Sequence, residues 1–442
     1  MSAGNNVFGD FPTNGFDAGA RERFSTWRAA GGAVPGLPEE GLLPDGMLRD
    51  LALRVSMPKE RLDALRAAVA HLEGDRALWT VTRFLAFDLC TDRSRYDGMR
   101  FDNPKPGAMG RHAGLYPLLL CLACIPVSRE MCRNRGIPDD MLLPVAERVL
   151  EPQLRHFSAG GDDIVDFPWD LNFYTGSIFL IGRFSFILTP YDDDVDFWRN
   201  RETGQVLGLY DGERAFRRDG QFQGVNGVVD REPFLSVRRL TDSTVTAHPV
   251  KPMGFLEREP VTLARAVWER TLHRGEWTLG LHIPSGPGYD PEQLRSAAVA
   301  AFAFFDRYFP EKAALGLWSE SWLYDARLSL CMGEERNIVR VQRQMYLYPM
   351  ERDDAMLRLE LFGSGQADLS AFEPRTGLQR DALAYMQAGG RFNTGGMVIL
   401  REDTGRIGDM PYIRAQDVAR FRETVDAHLR PGLDPAWQKA GR

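Results

Sequence analysis

The sequence predicts an α/β protein, with a helical N-terminal domain followed by a mixed β-sheet domain flanked by helices. Three observations predict it. Apolar residues recur at helical spacing from Leu43 to about His156. Beyond Gly160-Gly161 the period shortens, as in Gly176–Leu188 (GSIFLIGRFSFIL), which reads as a strand. From Glu276 to Met350 the signals run strand, Gly/Pro loop, helix, strand, short helix, strand, the order of an α/β layer with a site at its strand ends. The 442 residues exceed one typical domain. The expected division is a loose arm at 1–40, a helical domain at 41–160 and a sheet domain at 161–442, with 190–252 read as an insertion.

Composition excludes several classes. Hydrophobic residues make up 44% and charged residues 26%, ordinary for a globular chain, and the net charge of -7 offers no basic footprint for nucleic acid. Five cysteines are an odd and sparse set, which argues against a disulfide framework and fits a reducing cytoplasm. Cys121 and Cys124 lie in an apolar run with no second pair nearby, so core packing is expected rather than redox or metal chemistry. The N-terminal stretch has neither the basic nor the apolar region of a signal peptide. The longest apolar run, ending at Val127, falls short of the ~20 residues that span a bilayer.

In chain order, Ala20 to Ala30 forms a short amphipathic patch in the arm. Helices are expected at Met47–Val55, from Pro58 through Leu72, at Leu78–Phe87, at Leu115–Cys124 and at Met141–Phe157, the last capped by Asp139-Asp140. His71, His112 and His156 stand singly in this region and read as surface or packing residues. The acidic run Asp192–Asp196 (DDDVD) has no glycine-spaced calcium pattern and no histidine cluster beside it, so it reads as a solvated turn. Gly204–Asp211 and Gly224–Val237 read as strands, with Asp211-Gly212 a hairpin turn. Val261–His273 reads as a helix.

Trp277, Leu279 and Leu281 then alternate with Thr278, Gly280 and His282, and the strand breaks at Pro284–Gly288. Asp290-Pro291 reads as an N-cap followed by proline at the first helical position. Leu294, Ala297, Ala298, Ala301, Phe304 and Phe305 give that helix an apolar face. Ala314–Trp318 reads as a strand, Tyr324–Cys331 as a short helix, and Asn337–Tyr348 and Ala355–Phe362 as strands. Gly377–Met386 reads as a helix ended by Gly389-Gly390, Gly395–Leu400 as a strand, and Gln416–Leu429 as the final helix.

Several of these stretches resemble one family. LHIPSG at Leu281–Gly286, FFDRYFPEK at Phe304–Lys312, SWLYDARL at Ser321–Leu328, RNIVRVQRQMYLYP at Arg336–Pro349 and the helix–GG–strand segment Thr376–Leu400 are similar to bacterial proteins with an acyltransferase domain. These pair a helical N-terminal domain with a GNAT-like C-terminal domain. That family often carries Cys-His before Ser-Trp, where this chain has Ser319-Glu320. The resemblance implies acyl transfer from CoA or a carrier thioester to an amine or hydroxyl acceptor, with acyl-CoA as co-substrate and no tightly bound cofactor or metal. Implied partners are a small-molecule or peptide acceptor and an acyl carrier protein. The phosphate-gripping loop of that superfamily, Arg/Gln-x-x-Gly-x-Gly/Ala, is not recognisable in the C-terminal half. Its chance match at Arg28–Ala33 follows no strand and opens no helix.

Acyl transfer needs a base for the amine, donors for the oxyanion and a proton for the leaving thiolate. His282, at a strand end and off the apolar row, suits a base or a loop pin. Glu320 stands where relatives carry histidine and could take the base role. Ser321 could protonate the thiolate or cap the next helix. Candidate substrate contacts are Arg183, for an anionic group, Trp322, as a pocket wall, and Asn337 and Gln342, for ligand amides; each has a structural alternative in pairing, packing or sheet-edge bonding. No G-x-S-x-G, H-E-x-x-H or P-loop pattern is present. The rival readings are a non-catalytic binder on the same fold, and another thioester reaction such as decarboxylation or hydrolysis.

Overall fold

The computed structural model describes residues 19–37, 41, 45–92, 104–161, 166–284, 286, 288–363, 369, 372–425 and 437–439. The expected boundary residues Asp162 and Asp163, most of the N-terminal arm and much of the loop after Gly363 lie outside them. The chain divides into two compact units, Met1–Leu180 and Ile181–Arg442.

The first unit is helical among the described residues. Its α-helices are Ala20–Ala29, Asp45–Arg54, Lys59–Gly74, Arg76–Thr91, Tyr116–Asn134, Asp139–Ser158 and Phe167–Tyr174. The last of these escaped the sequence reading; Asp166 caps it by accepting from the Trp169 amide. Tyr116–Asn134 is the central helix. Cys121 and Cys124 are fully buried on it, in one apolar cluster with Leu72, Leu85, Leu119 and Phe167. The segment Gly107–Asn134 is apolar and long enough to cross a membrane, yet 72% of its apolar window is buried. Asp139 does not cap its helix. Pro138 holds the cap position, and Asp139 instead accepts from Arg129 and Arg133. The fold brings His71 and His112 together, their rings 5.7 Å apart.

The second unit is built on five strands of one sheet, in the order Phe184–Pro190, Trp277–His282, Gly316–Ser321, Gly395–Leu400, Tyr346–Pro349. The pair Trp277–His282 and Gly316–Ser321 is parallel; the pairings with Phe184–Pro190, Gly395–Leu400 and Tyr346–Pro349 are antiparallel. The helix Pro291–Tyr308 connects the two parallel strands and buries Leu294, Ala297, Ala298, Ala301 and Phe305. Its predicted cap is formed: the Asp290 carboxylate accepts from the Glu292 and Gln293 amides at 3.1 and 3.0 Å. A five-stranded antiparallel sheet stands beside the first, in the order Phe255–Leu256, Pro249–Lys251, Val206–Tyr210, Val195–Asn200, Trp268–Leu272. Aromatic edges join the two sheets, with the Phe197 and Tyr346 rings 5.2 Å apart.

Five expected elements come out differently. Gly176–Leu188 is two strands, because Gly182 turns the chain at φ +63°. Val261–His273 is two strands, Val261–Ala264 and Trp268–Leu272, each with an antiparallel partner, and no helix. Asp211-Gly212 is no hairpin: Val206–Tyr210 pairs with Val195–Asn200 and Pro249–Lys251, and the next strand, Ala215–Phe216, pairs with Phe234–Leu235. Asn337–Gln342 is a helix despite its β-branched residues, and only Tyr346–Pro349 of that stretch is a strand. The helix buries Val339, Val341 and Gln342, and packing outweighs a propensity difference of a few tenths of a kcal/mol per residue. Ala355–Phe362 is also a helix. Leu357 and Leu361 are buried one turn apart while Leu359 is 59% exposed.

Candidate active site

The two central parallel strands part before they end. Between them the ladder covers Leu279↔Leu317 and Gly280↔Trp318. Each strand nevertheless continues in register with its outer neighbour, to His282↔Ser185 on one side and Ser321↔Gly395 on the other. The inner edges of Leu281-His282 and Ser319–Ser321 therefore face a wedge at the C-terminal ends of the strands, where open α/β sheets place ligands. Backbone amides and carbonyls along such an edge can take an extended amide-bearing chain.

Side-chain alternation divides this wedge into two faces. Register places Ser185, His282, Glu320, Gly396 and Tyr348 in one row across the sheet. Leu281, Ser319 and Ser321 point to the opposite face, which carries Phe184 and Phe186. On that opposite face Tyr289 meets Phe184 edge-on at 6.3 Å, and Tyr324 lies beside Ser319. The Tyr289 hydroxyl is buried with no hydrogen-bond partner among the described residues.

The polar row holds most of the titratable chemistry. Glu320 accepts from Arg352 Nη1 at 2.6 Å. Burial pushes its proton affinity up, Arg352 opposes that, and the charge of Asp193 adds to it. Asp193 enters from the turn after Phe184–Pro190. Its Oδ2 accepts from Trp318 Nε1 at 2.8 Å and from the Tyr348 hydroxyl, and Trp318 Nε1 lies 2.9 Å from that same hydroxyl. Burial raises the Asp193 pKa as well. Tyr348 reaches this point because Gly396, between it and Glu320, has no side chain; a Cβ there would meet the tyrosine ring at 2.1 Å. His282 differs. Burial alone pushes its pKa down to about 4, so the imidazole is neutral at pH 7.

The remaining predicted residues are placed as follows. Ser321 Oγ accepts from the Leu323 amide at 3.2 Å and caps the turn Trp322–Tyr324. Trp322 is buried in an apolar cluster with Leu328, Val339 and Leu357. Arg183 sits in the turn at Gly182, and its Nη2 donates to the carbonyls of Pro284 and Gly286, strapping that turn to the loop after His282. Asn337 is exposed at the start of its helix and accepts from Arg340. Gln342 is fully buried and donates to the Leu323 and Asp325 carbonyls at 2.7 and 2.9 Å. Of the seven, His282 and Glu320 share a face of the wedge. Asp193, Trp318, Tyr348 and Arg352 were missed. Their signal in the sequence is weak, since only the acidic run marked Asp193, and it read as a solvated turn.

A family model for a GNAT-like C-terminal domain matches residues 178–399, half of the chain, and a model for an N-acyltransferase N-terminal domain matches residues 47–159. The chain belongs to this acyltransferase family. No curated protein sequence matches this acyltransferase. Among solved structures it resembles an acyltransferase in complex with decanoyl-CoA, at 19% identity, a TM-score of 0.51, and coverage of 86% of this chain and 98% of the other. A mutant acyltransferase in complex with octanoyl-CoA gives 19% identity, a TM-score of 0.50, and coverage of 89% and 98%. An acyltransferase with decanoyl-CoA and teicoplanin gives 21% identity, a TM-score of 0.50, and coverage of 86% and 95%. At these identities the likeness is one of fold.

At the start of the crossover helix several backbone amides are missing or already taken. Pro284, Pro287 and Pro291 have no amide hydrogen, and the Asp290 carboxylate already holds the Glu292 and Gln293 amides. The Gln293 side chain fills the space over Gly288, 2.5 Å from where a Cβ would lie.

Proposed function

We propose that this acyltransferase moves an acyl group directly from a pantetheine-borne thioester, on CoA or on a carrier protein, to an amine held on the Glu320 face of the wedge. The observation that carries the reading is the parting of Trp277–His282 and Gly316–Ser321 with a carboxylate of raised proton affinity on one lip. The pantetheine arm has two amides and can lie along the unladdered strand edges. Glu320 takes the proton from the amine. The nitrogen attacks the thioester carbonyl, the C–S bond breaks, and the thiolate collects a proton as it leaves. Glu320 suits the base role better than His282, because catalytic bases work best with a pKa near the operating pH and His282 is pushed the other way. Neutral His282 remains able to hydrogen-bond the acceptor or the thioester oxygen. The Glu292 and Gln293 amides at the helix start are held by Asp290, which supports recognition of the donor through its pantetheine arm, shared by acyl-CoA and acyl-carrier donors. The complex of a fold relative with teicoplanin supports a small-molecule or peptide amine.

The test is thiol release from acyl-CoA and acyl-pantetheine of graded chain length, with and without a panel of amines. The expected result is release that depends on the amine and appears with both donors. Release without amine would favour hydrolysis or decarboxylation. No release, together with a thermal shift on adding acyl-CoA, would leave a binding protein.

A further inference from the structure

The turn Asp192–Asp194 carries three acids, and only the middle one turns inward. Arg274 holds the outer two, with Asp192 Oδ1 at 3.1 Å and Asp194 Oδ1 at 2.6 Å. Asp193 is left facing the sheet, where Trp318 and Tyr348 donate to it. Trp318 is on the Glu320 strand two residues away and on the same face, and Tyr348 is in the Glu320 row across Gly396. Both groups that grip Asp193 therefore flank Glu320.

We propose that Asp193 is a positioning residue for acyl transfer: it fixes the Trp318 indole and the Tyr348 hydroxyl beside Glu320 and sets a second carboxylate on the face that base occupies. The proposal rests on Glu320 being the base. Two carboxylates on one face resist ionising together, and the Asp193 charge adds to what burial does to the proton affinity of Glu320. The other charged or titratable groups around them are few. The row has His282, pushed by desolvation toward its neutral form, and Tyr348. The segment after Tyr346–Pro349 brings Arg352, which lowers both acids' proton affinity. Asp194 raises that of Asp193 while being paired to Arg274. Tyr191 lies close by, its own ionisation opposed by burial and by Asp193. The neighbouring strand Gly395–Leu400 presents Gly396 and Val398 on this face and adds no charge. A turn built only to pack aromatics would gain nothing from an acid here, since an amide could accept the same two hydrogen bonds.

Asp193→Asn keeps those acceptor bonds and removes the charge. The expected result is that the acidic limb of kcat/KM against pH moves down by about one pH unit, with KM for the donor little changed. A limb that stays in place, whether the plateau falls or not, would reduce Asp193 to scaffolding or to no role. A second measurement needs no turnover: titration of the Asp193 carboxyl by carbon-13 NMR in the wild-type chain and in Glu320→Gln. Removing the Glu320 charge is expected to move the Asp193 titration to lower pH; an unmoved titration overturns the pairing even where Asp193→Asn does not fold. If no donor and amine give transfer, the NMR titration still reads the pair, so loss of the functional reading and loss of this inference are told apart.

Discussion

The two strands that frame the wedge end in opposite electrostatic settings. At the tip of Trp277–His282 the histidine is half-buried, and desolvation pushes it toward the neutral form. At the tip of Gly316–Ser321 the glutamate sits between an arginine that favours its ionised form and an aspartate that opposes it. The difference teaches that the same desolvation moves a histidine away from the operating pH and a glutamate toward it, and that neighbouring charge trims the second shift. From sequence the histidine is the more conspicuous residue. In the proposed reading the glutamate, whose proton affinity burial raises, takes the proton.

The sharpest way to break this comparison is to remove each tip in turn. Glu320→Gln is expected to lower kcat/KM by ~100-fold or more, the scale of a lost general base, with the thermal midpoint nearly kept. His282→Gln is expected to cost clearly less. Steady-state kinetics at saturating donor would settle the order, and a larger loss at His282 would return the base role to the histidine tip.

The histidine setting can be checked without turnover. The folded imidazole binds a proton only near pH 4, whereas an unfolded one does so from about pH 6.5 downward. Between those values the unfolded chain holds more protons, so stability falls as pH falls. The loss from this one group approaches about 3 kcal/mol by the lower end of the window. His282→Gln should therefore lose less of its thermal midpoint than the wild-type chain between pH 7 and pH 5. Parallel curves for the two proteins would contradict the buried, neutral histidine.

What the sequence disclosed follows from the range of the interactions. The Trp277–His282 strand, its Gly/Pro stop and the Asp290 cap are all local, and composition and spacing announce them. The family resemblance extended that to the domain pair. The Glu320 row was hidden because it depends on register across five strands. Tyr348 lay in a stretch whose β-branched residues suggested one long strand, although its first half is a helix pinned by Gln342. Asp193 was hidden for a related reason. Its run looks solvated until Arg274, eighty residues on, is seen to hold its two neighbours. Gly396 matters through what it lacks, and nothing in GGMVIL says that a tyrosine ring lies over it.

The smallest expected effect sharpens the comparison within the glutamate strand itself. Glu320 and Ser321 are adjacent, so their side chains leave opposite faces of the sheet. Ser321 Oγ is committed to the Leu323 amide, at the start of a one-turn helix. Removing a cap costs typically about 1 kcal/mol, and a single turn places this one at the low end. Ser321→Ala should lower the thermal midpoint by a few degrees at most while leaving kcat/KM close to the wild-type value. A substantial fall in kcat with the midpoint kept would mean that the hydroxyl leaves its amide to reach the reacting atoms, and that the wedge uses both of its faces.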